Sequence, residues 1–396
     1  MIEPKLRFNA DDGSQFPDWE EKTVGDMTVE LQDYEPLSSG YPLMTSSRTG
    51  LMMQNEFRSK SSTDDSTAIF SVVPHGVATY RHMSDDDIFH FNINYLADKG
   101  LVSKEYPVFN TKDNYNLYLL VEYLNSSRNF LNFCKAQKKG GTRTRLYFKV
   151  LKDFKLNMPS FPEQQKIAEF LSAIDTVIEK QKETVSAWEE RKKGVMQKLF
   201  SQEVRFKADD GSKFPDWEEK KLGKVFTERT ERSKGGESLL SVTIAQGIVK
   251  QSETDKRNIA SENKSNYKIV KKNDLAYNTM RMWQGAEGVS EYDGIVSPAY
   301  TVITVLDGNN SYFFETMFKQ TFMLQVFQRF SQGLTSDTWN LKFPAFSEIK
   351  CLIPCEDEQN KIVECVAVLD EVIEKQKATL VQWEELKKGL LQQMFV

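Results

Sequence analysis

Two long stretches of the chain carry apolar side chains at alternating steps of four and three residues, the spacing of a coiled-coil helix. In the first stretch, 162–200, Pro162 suits the opening turn of a helix because the missing N–H of proline has no partner to lose there. The apolar positions of this first seam are Ile167, Leu171, Ile174, Ile178, Val185, Trp188, Val195 and Leu199. Those of the second seam are Ile362, Val366, Leu369, Ile373, Leu380, Trp383, Leu390 and Met394. The pattern predicts two long helices, over 159–200 and 354–396, and the simplest partner for each is the other in antiparallel orientation.

Polar residues interrupt the two seams at matching places, Gln181 with Gln376 and Lys192 with Lys387. A polar residue at such a position lowers the stability of a coiled coil but penalises the wrong register. A second interpretation is that these side chains, the lysines above all, reach solvent at a frayed helix end. Both interpretations stay open from the sequence.

The helices belong to a repeat that spans the chain. Residues 6–25 and 204–223 are identical at 15 of 20 positions, and residues 163–200 and 358–395 at 21 of 38. The segments between the repeats diverge strongly. This pattern indicates two domains of common fold but different surface, which suggests different targets and a shared partner.

The divergent segments mix helical and strand patterns. Residues 117–137 and 312–332 are predicted as amphipathic helices, and residues 267–279 and 299–308 as short strands that end in turns. The predicted fold class is therefore α+β, with two tandem α+β domains joined by two long antiparallel helices and related by a pseudo-two-fold repeat. The predicted boundaries are 1–158 and 201–353 for the domains, and 159–200 and 354–396 for the helices.

Composition and charge exclude several classes of protein. No apolar signal core or membrane span is present, and the four cysteines are too few for a disulfide scaffold, so we expect a cytoplasmic protein. The net charge is −5, but residues 31–157 carry 16 basic and 13 acidic side chains, and residues 229–353 carry 15 and 13. Mildly basic domains could bind phosphate groups, although an ordinary distribution of surface charges explains the same numbers of basic and acidic side chains.

Catalytic motifs are absent from the sequence. It holds no phosphate-binding GxxxxGK[ST] loop, no GxGxxG and no GxSxG, and its three histidines (His75, His82 and His90) do not form an HExxH site. Cys351 and Cys355 lack the further ligands of a metal site, and a surface turn explains Asp85–Asp87 better than a magnesium site does. We expect no catalytic residue, no metal and no cofactor bound by this chain.

Polar and basic loops are the candidate binding residues, because glycine permits close approach and Arg, Lys and hydroxyl groups contact phosphates and base edges. The loops that follow the two predicted helices contribute Lys138, Lys139, Arg143 and Arg145 in the first domain, and Ser336, Thr338, Trp339 and Asn340 in the second. Further turns contribute Ser47, Arg48, Tyr80, Arg81, Arg281 and Trp283. Any one of them could instead be a solvated loop residue, and Trp339 could equally belong to a core.

Taken in order, these motifs resemble the specificity subunit of type I restriction–modification systems. The resemblance rests on two FPDWEEKxxG segments, at 16–25 and 214–223, and on two helices that open with EQxKI and contain IEKQK. An IxxxLxxID pattern matches at Ile167–Asp175, whereas the second copy has Val366 and Leu369 in its place. The match covers essentially the whole chain.

The resemblance implies that each variable domain is a target recognition domain that reads one half of a bipartite, asymmetric site on double-stranded DNA. The helices would set the spacing of the half-sites through their seam, which includes Ile167, Leu171, Ile174, Ile178, Trp188, Ile362, Leu369, Ile373 and Trp383. It further implies two modification subunits that use S-adenosylmethionine to methylate adenine, and restriction (nuclease and translocase) subunits that use ATP and Mg²⁺. The alternative is a coiled-coil scaffold whose globular domains bind protein partners. A self-sufficient methyltransferase is disfavoured, since no NPPY/F-like motif is present.

Overall fold

The structure is a computed structural model that describes residues 4–54, 68–138, 140, 142–244, 246–253 and 263–395. The chain forms two compact units, Met1–Thr184 with Gln376–Val396, and Val185–Lys375. Each long helix therefore contributes one half to each unit. The predicted boundaries instead treated each long helix as a separate segment that follows its domain.

The first unit is an antiparallel α+β domain followed by half of a long helix. Its strands are β1 (Glu20–Thr23), β2 (Thr28–Leu31), β3 (Tyr34–Pro36), β4 (Met44–Ser47), β5 (Gly50–Met53), β6 (Ile69–Pro74), β7 (Ala78–Tyr80), β8 (Met83–Ser84), β9 (Phe91–Ile93), β10 (Lys99–Ser103), β11 (Val108–Thr111), β12 (Thr144–Arg145) and β13 (Lys155–Met158). Its helices are α1 (Val24–Met27), α2 (Leu117–Ser126), α3 (Arg128–Ala136), α4 (Phe148–Leu151) and the long α5 (Phe161–Phe200). The main sheet has the order β2-β11-β7-β9, and a second sheet has the order β10-β6-β3.

The second unit repeats this plan. Its strands are β14 (Glu218–Lys221), β15 (Phe226–Glu228), β16 (Leu240–Thr243), β17 (Gly247–Lys250), β18 (Lys268–Val270), β19 (Leu275–Asn278), β20 (Glu287–Val289), β21 (Gly294–Val296), β22 (Tyr300–Val305) and β23 (Lys350–Ile353). Its helices are α6 (Ser311–Phe318), α7 (Thr321–Phe330), α8 (Phe343–Ser347) and the long α9 (Glu356–Met394). The main sheet has the order β15-β22-β19-β20, which corresponds strand for strand to that of the first unit.

The single amphipathic helices predicted over 117–137 and 312–332 are each two helices in the structure. Between α2 and α3 the backbone of Ser127 is extended, and its hydroxyl accepts a hydrogen bond from the N–H of Phe130 at 3.2 Å. This cap satisfies an N–H that the helix start leaves unpaired, which favours a new helix over continuation of the old one. The corresponding break in the second unit lies at Lys319 and Gln320.

The long helices pair in antiparallel orientation within each unit. In the first unit the amide of Gln181 donates to the Gln376 side chain at 2.8 Å, and Lys387 forms an ion pair with Asp175 at 2.7 Å. In the second unit Lys192 forms an ion pair with Asp370 at 2.5 Å. Residue numbers fall along one helix as they rise along the other, so the predicted antiparallel pairing is confirmed.

Each core joins the sheet, the helix pair and the ends of the long helices. In the first unit, Phe91, Phe109 and Phe130 pack in one cluster with Leu171 of α5 and Leu391 of α9. In the second unit the equivalent cluster combines residues of the domain with Met196, Leu199, Ile362 and Val366. The long helices are therefore built into the cores. No helix in the described part of the chain is long and apolar enough to cross a membrane.

Candidate nucleic-acid interface

Two of the candidate turns meet in the first unit around a cleft of about 440 Å³. The turn after β4 contributes Ser47 and Arg48, and the residue after β7 contributes Arg81. Both arginines are exposed, and the Ser47 hydroxyl donates to the carbonyl of Gly50 at 2.9 Å, which closes the β4–β5 turn. The cleft is lined mainly by hydroxyl, imidazole and guanidinium groups, the kinds of side chain that contact phosphates and base edges.

An acidic turn, Asp85–Asp87, forms ion pairs with three of the basic candidates of this unit. Arg143 donates to Asp85 at 2.7 Å, Arg48 pairs with Asp86, and the Lys138 ammonium lies 3.6 Å from Asp87. The hydrogen bond from Arg48 lowers the pKa of the Asp86 carboxyl. The sequence interpretation placed this turn at the surface. It missed that the turn binds basic side chains from two separate loops, the β4–β5 turn and the loop after α3.

Three further candidates of the first unit have different outcomes. Tyr80 is wrong as a surface contact, because its ring is fully buried against Phe91 and its hydroxyl donates to the carbonyl of Leu146 at 3.0 Å. All three residues of β7 are buried, so this strand offers no exposed face for a ring at Tyr80. Arg145 is exposed on β12, and Lys139 lies outside the described residues.

The candidates of the second unit also come together. Trp283 and Trp339 pack edge to face with ring centroids 5.1 Å apart, and the N–H of Leu341 donates to the carbonyl of Thr279 at 2.8 Å. These contacts place the turn that bears Arg281 beside the loop that bears Ser336, Thr338 and Asn340. Ser336 and Thr338 are exposed, whereas Arg281, Trp339 and Asn340 are half-buried.

A repeated Arg–Glu–Trp cluster was missed by the sequence interpretation. In the first unit Arg7 donates to both oxygens of Glu163, at 3.2 and 2.9 Å, and the Trp19 indole donates to the same carboxylate at 3.1 Å. In the second unit Arg205 and Trp217 make the same contacts to Glu358, at 3.0, 2.7 and 3.1 Å. Both glutamates are fully or almost fully buried. The identity of the two N-terminal segments thus has a structural reason, since each one ties the start of a long helix to its domain.

The polar residues of the helix seams have partners and do not lie at frayed helix ends. The Lys192–Asp370 pair of the second unit recurs in the first as Lys387–Asp175, and Lys387 also contacts Glu122 at 2.9 Å. The seam residues Ile167, Leu171, Ile174, Ile178, Ile362 and Ile373 are buried, and Trp188, Leu369 and Trp383 are partly buried.

The described titratable groups offer little nucleophilic or metal-binding chemistry. Burial raises the pKa of the Cys134 and Cys351 thiols to about 12, so neither forms a thiolate near neutral pH. Burial lowers the pKa of His82 and His90. Within the described ranges, no three His, Cys, Asp or Glu residues lie close enough together to hold a metal ion.

One family model matches the chain. Residues 90–186 match the type I restriction modification DNA specificity domain. They run from the start of β9 into α5, and so include the loop that bears Arg143 and Arg145.

Among curated proteins, the type I restriction enzyme MjaVIII specificity subunit of Methanocaldococcus jannaschii is 31% identical over 138 residues. The aligned part covers 33% of this chain and 32% of that protein, so the match spans about a third of the length of the relative.

Two solved structures share the fold over nearly the whole chain. The S subunit of a type I restriction–modification system from M. genitalium has a TM-score of 0.55 at 16% identity and covers 100% of this chain and 99% of its own. A chain from a study of complex assembly and conformational transition of the type I R-M system has a TM-score of 0.53 at 13% identity and covers 96% and 98%. At these identities the likeness shows the fold. The match over residues 90–186 and the shared fold show that this chain is similar to the specificity subunits of type I restriction–modification systems.

Proposed function

We propose that the chain is the DNA-recognition subunit of a type I restriction–modification complex and reads a bipartite, asymmetric site with its two domains. The observation that carries this proposal is the same in both units. Loops far apart in sequence converge on one polar patch, Arg48 with Arg143 in the first unit and Arg281 with Ser336 and Thr338 in the second. The polar patches differ between the two units, whereas the Arg–Glu–Trp clusters and the helix pairs of the two units are nearly the same. Two different patches on the same framework suit two different half-sites.

The chemistry of methylation and cleavage then belongs to partner subunits. Two modification subunits would bind S-adenosylmethionine and methylate adenine, and restriction subunits would supply the ATP- and Mg²⁺-dependent steps. This chain would act in the cytoplasm as a non-catalytic subunit that holds neither cofactor. Flipping of the target adenine out of the duplex would likewise be the task of the modification subunits.

The first test is DNA binding by the complex of this chain with its modification subunits over a salt series. Binding through phosphates releases counterions, so affinity should fall steeply as salt rises. Sequencing of methylated adenines in cells that carry both subunits should return one bipartite motif. Binding that is absent or insensitive to salt, or methylation without a motif, would contradict the proposal and favour a protein-binding scaffold.

The loop at Arg143 provides a residue-level test of the same proposal. Replacement of Arg143 and Arg145 by Ala should weaken binding to the site, by about 1–3 kcal/mol for a bidentate base contact. Arg128→Ala is the matched control, because this exposed arginine lies at the start of α3, at the other end of that helix from the loop. Equal affinities for all three proteins would remove the loop from the interface.

A further inference from the structure

Leu334 is the most exposed large apolar side chain among the described residues, at 101% of its reference area. It lies near the tip of a loop, residues 332–340, that follows α7. Isolated exposed leucines are common on protein surfaces, so exposure by itself decides nothing. The way in which the loop presents this leucine is what carries the inference.

The loop is closed at its base by a single antiparallel bridge. Gln332 and Asn340 exchange backbone hydrogen bonds at 3.0 and 2.8 Å, and the Thr338 hydroxyl donates to the carbonyl of Thr335 at 2.9 Å. Gly333 has a φ of +144°, and a Cβ there would lie 2.6 Å from the carbonyl oxygen of Thr338. Glycine is therefore required immediately before Leu334, and the leucine is held in place by a defined turn.

The loop is also fixed to the domain. Trp339 packs on Trp283, and Leu341 is fully buried, with its N–H donating to the carbonyl of Thr279. The tip, in contrast, carries short polar side chains, since Thr335, Ser336, Asp337 and Thr338 are all exposed. A single aliphatic side chain thus projects from a closed polar loop.

We propose that Leu334 contacts the C5-methyl group of a thymine in the half-site read by the second domain. This inference rests on the proposed function of DNA reading. The major groove is about 12 Å wide and admits protein elements as large as an α-helix, whereas the minor groove is only about 6 Å wide. The thymine methyl is the apolar group that base edges display in the major groove, and an exposed hydroxyl such as that of Ser336 suits the polar edges around it.

The test combines a change in the DNA with a change in the protein. Each thymine of the methylation motif is replaced in turn by deoxyuridine, which removes only the methyl group, and binding by the complex with modification subunits is measured. At one thymine, wild-type affinity should fall about four-fold, the effect expected for one buried methyl group. Leu334→Ala should lose a similar factor on thymine DNA and nothing further on the deoxyuridine DNA.

The control variant is Leu306→Ala, an exposed leucine of the same domain at the end of β22, which should bind both DNAs as wild type does. Leu334→Met should keep part of the discrimination, because a methionine side chain can still reach a methyl group. Three results would overturn the proposal. The half-site could lack thymine, wild-type protein could bind every deoxyuridine DNA as tightly as thymine DNA, or Leu334→Ala could show the same loss of affinity on deoxyuridine DNA as wild type does. Wild-type protein that binds no specific DNA would instead contradict the proposed function itself.

Discussion

At the scale of single residues, the buried glutamates of this chain differ in whether their carboxylates accept hydrogen bonds. Glu163 and Glu358 each accept hydrogen bonds from an arginine and a tryptophan. Glu287 is equally buried on β20, yet its two oxygens lack a hydrogen-bond partner among the described residues, and the Lys319 ammonium lies 3.9 Å away. Burial raises the pKa of Glu287 well above its usual value, against the opposing effect of Lys319. A buried carboxyl without a hydrogen bond is costly to ionise.

We therefore expect Glu287→Gln to stabilise the protein at neutral pH. The raised pKa means that the stability contributed by Glu287 is fully present below the unfolded-state value of about 4.5 and is lost as pH rises through the folded-state value. The gain on substitution should be about 1–3 kcal/mol at pH 8 and should vanish near pH 4. Thermal unfolding across this pH range measures it. A gain that is independent of pH, or a loss at pH 8, would show that Glu287 is stabilised by its surroundings.

At the scale of elements, the repeated Arg–Glu–Trp clusters connect each domain to the start of a long helix. Arg205 donates to Glu358 two residues after the start of α9, and its guanidinium also donates to the carbonyl of Pro215 at 2.5 Å. The hydrogen bond to Glu358 raises the pKa of Arg205, so the guanidinium stays charged. A carboxylate near a helix N-terminus also interacts favourably with the helix dipole.

Removal of the arginine should leave this carboxylate buried without its charge partner. We expect Arg205→Met to lower the free energy of unfolding by about 3–5 kcal/mol. Lys221→Met is the control, since its ion pair with Glu348 at 2.5 Å is largely exposed and should contribute about 1 kcal/mol or less. Urea denaturation of both variants measures the difference. Comparable losses in the two would mean that the cluster contributes no more than a surface ion pair.

At the scale of the whole molecule, the repeat produces two domains with the same supporting contacts and different polar patches. The sheets β2-β11-β7-β9 and β15-β22-β19-β20 have one topology, although the sequences of these segments diverge. The strands β1 and β13 pair in antiparallel orientation and close the first domain. Their register runs from Glu20 opposite Met158 to Thr23 opposite Lys155. Suitable exchange junctions therefore lie inside that pair, at residues 24 and 154.

If the chain reads DNA as proposed, exchange of residues 24–154 for the corresponding segment of a known specificity subunit should change one half of the methylation motif. The other half should stay the same, because the second unit has its own core and its own polar patch. Sequencing of methylated adenines before and after the exchange measures both halves at once. A change in both halves would contradict independent reading, and the reverse exchange within the second unit provides the control.

The sequence by itself determined the repeat, the α+β class, the two long helices and their antiparallel pairing, because these depend on periodic patterns along the chain. Only the tertiary structure decided which polar residues share a surface. It buried Tyr80, paired Arg48 and Arg143 with the acidic turn Asp85–Asp87, and joined Arg7, Trp19 and Glu163 into one cluster. Periodicity is a local property, whereas burial and ion pairing depend on residues that lie 38 to 156 positions apart in the chain. That separation is why the seams could be predicted residue by residue, while the partners of the candidate arginines could not.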